Sequence, residues 1–192
     1  SFLSAWLCSY IENFKPERSG PGIDDMEFVE LYGVPGVDLS GITVVIYNGS
    51  NALSNNAFDL TGYALDENGF FLIGGPNLAG ADFTVDQTNW LQVGQEAVAL
   101  YDASGADFPN GTPVTNEDLL DAIVYGNNQP PASGLIDVLT PSATQLNESA
   151  QGLADYQSLA RLPNGGDPFA SSDYTLQSPT PGYSNVLQCD GG

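Results

Sequence analysis

The chain has 192 residues with 24 acidic and three basic side chains, giving a formal net charge of -21, and it contains no histidine. Without histidine there can be no Ser/His/Asp or Cys/His triad and no His-dependent nuclease chemistry, and so negative a surface repels phosphate backbones and disfavours direct nucleic-acid binding. The same charge suits divalent cations, basic partners or a salty medium that screens self-repulsion. Charged residues make up only 14% of the chain, so it is a polar sequence poor in cations rather than an acidic tail, and 42% hydrophobic content with nine Phe, nine Tyr and two Trp supplies a core for one domain.

Residues 1–9 are an apolar arm (Phe2, Leu3, Trp6, Leu7) far short of the roughly 20 residues of a membrane span. With no initiating Met and no basic leader, Ser1 is expected to follow a processing event. A first strand is predicted over 7–14, then a Pro/Gly loop over 15–25. Residues 28–32, rich in β-branched and aromatic side chains, predict a strand. Residues 37–41 (Val-Asp-Leu-Ser-Gly) form a corner, and 43–47 are dense enough in Val and Ile for a strand covered on both faces. Residues 48–59 read as a polar insertion. Residues 63–65 and 70–73 bracket Asp66-Glu67-Asn68-Gly69 and predict a hairpin.

Further along, 74–80 predict a loop, 82–85 a short edge strand and 95–101 a strand ending in a turn. A helical turn is expected over 116–120, a core strand over 121–125, a Pro-rich loop over 129–133 and a short helix or turn over 134–139. Residues 140–156 are polar and ambiguous. Strands are predicted over 158–162 and 173–176, the latter leading into Pro179-Thr-Pro-Gly182. Short apolar runs between frequent turns, with no sustained 3.6-residue period, predict an all-β sandwich. Its expected core holds Phe28, Leu31, Leu39, Val45, Leu72, Val98, Leu100, Ile123, Val124 and Leu159.

Glu27-Phe-Val-Glu-Leu31 followed by Val37-Asp-Leu-Ser-Gly41 resembles the opening signature of the lamin tail domain family. Asp121-Ala-Ile-Val-Tyr-Gly126 resembles a later family strand, and Ser158-Leu-Ala-Arg-Leu-Pro-Asn-Gly165 with Pro179-Thr-Pro-Gly-Tyr-Ser-Asn185 resembles its ending. The resemblance spans about Tyr10 to Asn185 and is nearest to the secreted members. Ile42 stands where a Trp is usual, and Leu162 where many secreted members have Cys, which removes a disulfide. The resemblance implies an immunoglobulin-like β-sandwich over 10–187, between the arm of 1–9 and a tail of 188–192, in a secreted, extracellular protein.

In a secreted chain, the two cysteines, Cys8 and Cys189, read as a disulfide closing the domain, with intermolecular bonds and free thiols as alternatives. Two cysteines and no histidine lack the usual zinc set. Three sequons, at Asn48, Asn110 and Asn147, are candidate glycosylation sites if the source is eukaryotic, although an Asn/Ser/Thr-rich chain also produces sequons by chance. Calcium, the candidate cofactor, needs six to eight oxygens. The candidate ligands are Asp24, Asp25 and Glu27, with Asp66, Glu67 and Asn68 or Asp102 and Asp107 as further acidic turns, and solvated turns are the alternative reading of each. Glu30 is expected to bond backbone at a sheet edge.

These features point away from an enzyme. They fit a non-catalytic structural or adhesive module that self-associates, through sheet edges or its apolar arm, or joins other matrix components. The alternative is an accessory module that binds a carbohydrate or matrix surface beside an extracellular enzyme such as a nuclease. A planar strip including Tyr10, Tyr63 or Trp90 would favour sugar binding, and an unpaired edge would favour assembly.

Overall fold

The computed structural model describes residues 10–15, 26–92, 94–147 and 157–185, the first of these as backbone. Among the described residues eleven strands and one α-helix follow in chain order. They are β1 (Tyr10–Lys15), β2 (Phe28–Tyr32), β3 (Ile42–Asn48), β4 (Leu53–Asp59), β5 (Phe70–Gly74), β6 (Phe83–Thr84), β7 (Glu96–Asp102), β8 (Leu119–Gly126), α1 (Ser133–Leu139), β9 (Leu146–Asn147), β10 (Ser158–Arg161) and β11 (Tyr174–Gln177). One sheet runs β11-β10-β1-β2-β5-β6 and the other β4-β3-β7-β8-β9. Among the described residues only β5–β6 and β8–β9 are parallel pairs. The chain is an all-β sandwich, and the expected core residues are all buried.

Alternation along the strands produces two apolar layers. Val29, Leu31, Phe71 and Ile73 of the first sheet face Val44, Ile46, Val98, Leu100 and Ile123 of the second, which makes the inter-sheet core. The opposite face of the second sheet carries Val45, Tyr47, Ala97, Ala99, Tyr101 and Val124, and α1 covers it with Leu135 and Leu139. The small alanines in the middle of β7 let a helix lie close to the sheet. This double burial is the physical reason that β3 is apolar at successive positions.

Three expectations are corrected. Residues 48–59 are not wholly an insertion: β4 pairs with β3 from Asp59 opposite Thr43 to Leu53 opposite Asn48, and Phe58 is the buried apolar anchor of an edge strand whose Leu53 and Ala57 are half-buried. Residues 63–65 do not pair with β5. They pair with the corner instead, Leu39 N–H donating to Tyr63 C=O and Leu65 N–H to Val37 C=O, each at 2.9 Å, while β5 takes β2 as its antiparallel partner. Gly69 closes this corner at φ +90°, and a Cβ there would sit 2.2 Å from Gly33 O. Residues 116–120 form no helical turn, since β8 already begins at Leu119, after a positive-φ Asp118.

The loop between β7 and β8 crosses the second sheet to reach the far edge. There Ser54 N–H donates to Thr112 C=O and Gly111 N–H to Ser54 C=O, both at 2.8 Å. At the other end of β4, Asp59 Oδ2 accepts Gly105 N–H at 2.8 Å and its Oδ1 accepts Thr61 N–H at 2.9 Å. The hydrogen bonds from Thr61 and then Gly105 hold the Asp59 carboxyl below its ordinary value. A depressed carboxyl contributes stability that is present above its unfolded value and lost as pH falls through the folded one. Asp59→Ala is expected to cost no more than about 1 kcal/mol, because the group is solvent-screened. It should nonetheless raise proteolytic cleavage within 103–114 severalfold, with the core intact by near-ultraviolet dichroism.

Candidate functional site

The chemically richest place in the fold joins three of the sequence motifs. Arg161 in β10 shares a strand face with Leu159, so its side chain enters the inter-sheet space from the first sheet, and Asp121 in β8, on the face of Ile123, enters it from the second. Arg161 Nη2 lies 3.0 Å from Asp121 Oδ2, and both side chains have no solvent exposure. The Tyr174 ring lies beside the guanidinium, 4.9 Å from the ring centroid to Cζ. Asp121 Oδ1 also accepts the backbone N–H groups of Phe169 at 2.8 Å and Ala122 at 2.9 Å. Phe169 has φ +62°, a left-handed conformation that a non-glycine residue holds only when its surroundings fix it.

The terminal motif completes this corner. Asn185 is 7% exposed; its Nδ2 donates to Arg161 C=O at 3.1 Å, its Oδ1 accepts Gln177 Nε2 at 2.9 Å, and its N–H donates to Asn164 Oδ1 at 2.8 Å. A single asparagine thus links β10, β11 and the turn after β10. Glu30 reaches the same region from the other side, where its Oε2 accepts Gly182 N–H. It bonds backbone as expected, but from inside the first sheet, because β2 has strands on both sides and is no edge.

Two further buried carboxylates fix loops. Glu27 is 1% exposed, and its Oε2 accepts Trp90 N–H at 2.9 Å. Glu96 Oε2 accepts Gln92 N–H at 3.0 Å and the Tyr125 hydroxyl at 3.1 Å. Of the candidate calcium ligands, Glu27 therefore faces inward, and Asp24 and Asp25 lie outside the described residues. Asp66 Oδ1 is engaged by Asn68 N–H and Phe70 N–H at 2.8 Å each, which makes it the keystone of a turn. Among the described residues no group of three acidic or thiol side chains is placed to hold a metal.

The sequons differ in geometry. Asn48 ends β3, half-buried, and its Oδ1 accepts Ser50 N–H at 2.8 Å. Asn147 is exposed and bonded to Asn128 through Nδ2 at 3.0 Å. Asn110 is exposed at a turn in the loop that covers β4. The residues proposed for a disulfide, Cys8 and Cys189, lie outside the described residues, as do the arm of 1–9 and the tail of 188–192.

Trp90 is 1% exposed and packs edge-on to Phe58 at 5.2 Å, while Tyr63 is 38% exposed and leans edge-on to Phe71 at 5.3 Å. These rings plug one end of the sandwich and do not make a flat platform. A cleft of 530 Å³ lies at the C-terminal end of α1 between Leu119, Pro141 and Phe169, with no charged residue in its lining. Another, of 310 Å³, opens between β9 and β11 beside Leu146, Leu159 and Leu176.

Fold and site together define a two-sheet β-sandwich whose buried polar groups hold its sheets and loops in register. No family model matches the chain, and no curated protein matches it.

Proposed function

We propose that the protein is a non-catalytic, secreted structural module of the lamin-tail type, with an immunoglobulin-like sandwich, that associates with copies of itself or with other extracellular matrix components. The observation that carries this reading is the destination of the motif residues. Asp121, Arg161, Glu30 and Asn185 bond one another's elements inside the fold, which makes them parts of a scaffold. A scaffold acts through its surface, and a surface of net charge -21 repels its own copies until salt or a divalent cation screens it. Association is therefore expected to strengthen from low salt to about 0.5 M salt, where the screening length falls to a few ångströms, and again on adding calcium. Light scattering across that range tests this, and a chain that stays monomeric at millimolar concentration in salt and calcium would overturn it. The accessory-module reading draws support from the uncharged cleft beside Phe169, whereas the edge-on packing of Trp90 and Tyr63 gives a flat sugar platform no support.

A further inference from the structure

Among the described residues the two sheets end in four edge strands, β6 and β11 in one sheet and β4 and β9 in the other. An edge strand presents unpaired backbone groups and can template another chain. The longest, β4, is covered at both ends by the loop that bonds Ser54 and Asp59. Strands β6 and β9 have two residues each, and β6 is flanked by exposed Asp82 and Asp86. Strand β11, Tyr-Thr-Leu-Gln, has four residues and no charge, and among the described residues no strand pairs with it beyond β10.

We infer that β11 is the edge through which two copies of this chain join, antiparallel about a twofold axis at Leu176, into one sheet continuous through both molecules. The inference rests on the self-association reading above and names its surface. The register follows from the ladder. Leu162 N–H donates to Asp173 C=O at 2.8 Å, so the backbone groups of Asp173, Thr175 and Gln177 turn toward β10 and those of Leu176 turn outward. A twofold axis normal to an antiparallel pair requires a residue opposite its own copy, and Leu176 opposite Leu176 lets each donate its N–H to the other's C=O.

The side chains agree with this register. Leu176 stands opposite Leu159 on the core face, is only half-buried, and borders the 310 Å³ cleft. Its copy would extend the inter-sheet core past the edge. Charge is kept apart as well. The nearest acid in sequence, Asp173, would lie about 20 Å along the strands from its copy, at about 3.4 Å per residue, beyond the roughly 8 Å screening length of physiological salt. A chain of this net charge can therefore meet itself at β11 with little local repulsion.

The full chain in about 0.5 M salt provides the test, a regime in which surface charges are screened. Leu176→Pro removes an outward N–H while leaving the β10 ladder, and Leu176→Lys sets two cations opposite each other. Leu176→Pro is expected to weaken association about tenfold or more, as the loss of two neutral hydrogen bonds predicts, and Leu176→Lys to weaken it as well by taking the apolar Leu176 pair out of the contact, each with the wild-type circular dichroism spectrum. Asn56→Lys on β4 is expected to leave association unchanged. In the wild type, the Leu176 amide should exchange more slowly as concentration rises. Wild-type association that both Leu176 variants retain, or a Leu176 amide indifferent to concentration, overturns the β11 edge and leaves the self-association reading standing. A wild type that never associates overturns both.

Discussion

Replacing Asp121 with alanine is expected to cost about 3–5 kcal/mol, because it takes a carboxylate away from the fully buried Arg161 guanidinium. The loss is compound. Phe169 N–H loses its acceptor as well, and with it the bond that Asp121 gives to that residue's left-handed conformation. Since a domain of this kind is stable by only about 5–15 kcal/mol, the variant should lose a large part of its urea midpoint and could be unfolded at 37 °C. The double variant Asp121→Leu with Arg161→Met discriminates a cost of unpaired charge from a cost of lost shape. Apolar replacements of a buried pair are often neutral or stabilising, so the double variant should recover most of the midpoint. An Asp121→Ala midpoint within error of wild type would mean that the other groups around the guanidinium hold it without this carboxylate.

The sandwich was legible because its central strands are apolar on alternate or on all positions. Residues 43–47 and 95–101 could be strands only if covered on both faces or one, and the structure supplies the second cover in α1. Strand β4 was not legible for the converse reason. Leu-Ser-Asn-Asn-Ala-Phe-Asp contains two asparagines, which strands disfavour, and it holds its place through Phe58 and through a loop some 50 residues further on. Residues 63–65 failed differently. The Asp-Glu-Asn-Gly turn was real, but the strand before it had a nearer partner in the corner at 37–39, a competition that local turn chemistry cannot decide.

The buried pair had a signal that went unread. With only three cations in the chain, an arginine two residues after Leu159, on the same strand face, must enter the core. A buried cation requires an anion, and Asp121 precedes Ile123 by the same two-residue step. Periodicity thus locates both partners; the 40-residue separation hides only that they are partners of each other. The inward turn of Glu27 could be read the same way, since it precedes Val29 by the same two-residue step, whereas Glu30, between Val29 and Leu31, takes the opposite face of β2.

Alkali is expected to unfold the protein through two tyrosines. Tyr101 donates its hydroxyl hydrogen to Thr115 C=O at 2.7 Å, which leaves its oxygen to accept from the Tyr47 hydroxyl at 3.1 Å beneath the helix-covered layer. Burial pushes both phenols above their ordinary value. The unfolded chain releases these protons near pH 10, whereas the folded chain keeps them. Above that pH the folded state therefore binds more protons, and stability falls as pH rises, by about 1.4 kcal/mol per pH unit for each retained proton. Below pH 10 neither phenol contributes a slope. Denaturant melts at pH 8, 10 and 11 should show a midpoint flat over the first interval and falling steeply over the second. The double variant Tyr47→Phe with Tyr101→Phe leaves Thr115 C=O without its donor, so it should start about 1–2 kcal/mol less stable and then lose its slope by close to two protons relative to wild type. An unchanged alkaline slope in that variant would place the titration elsewhere in the chain.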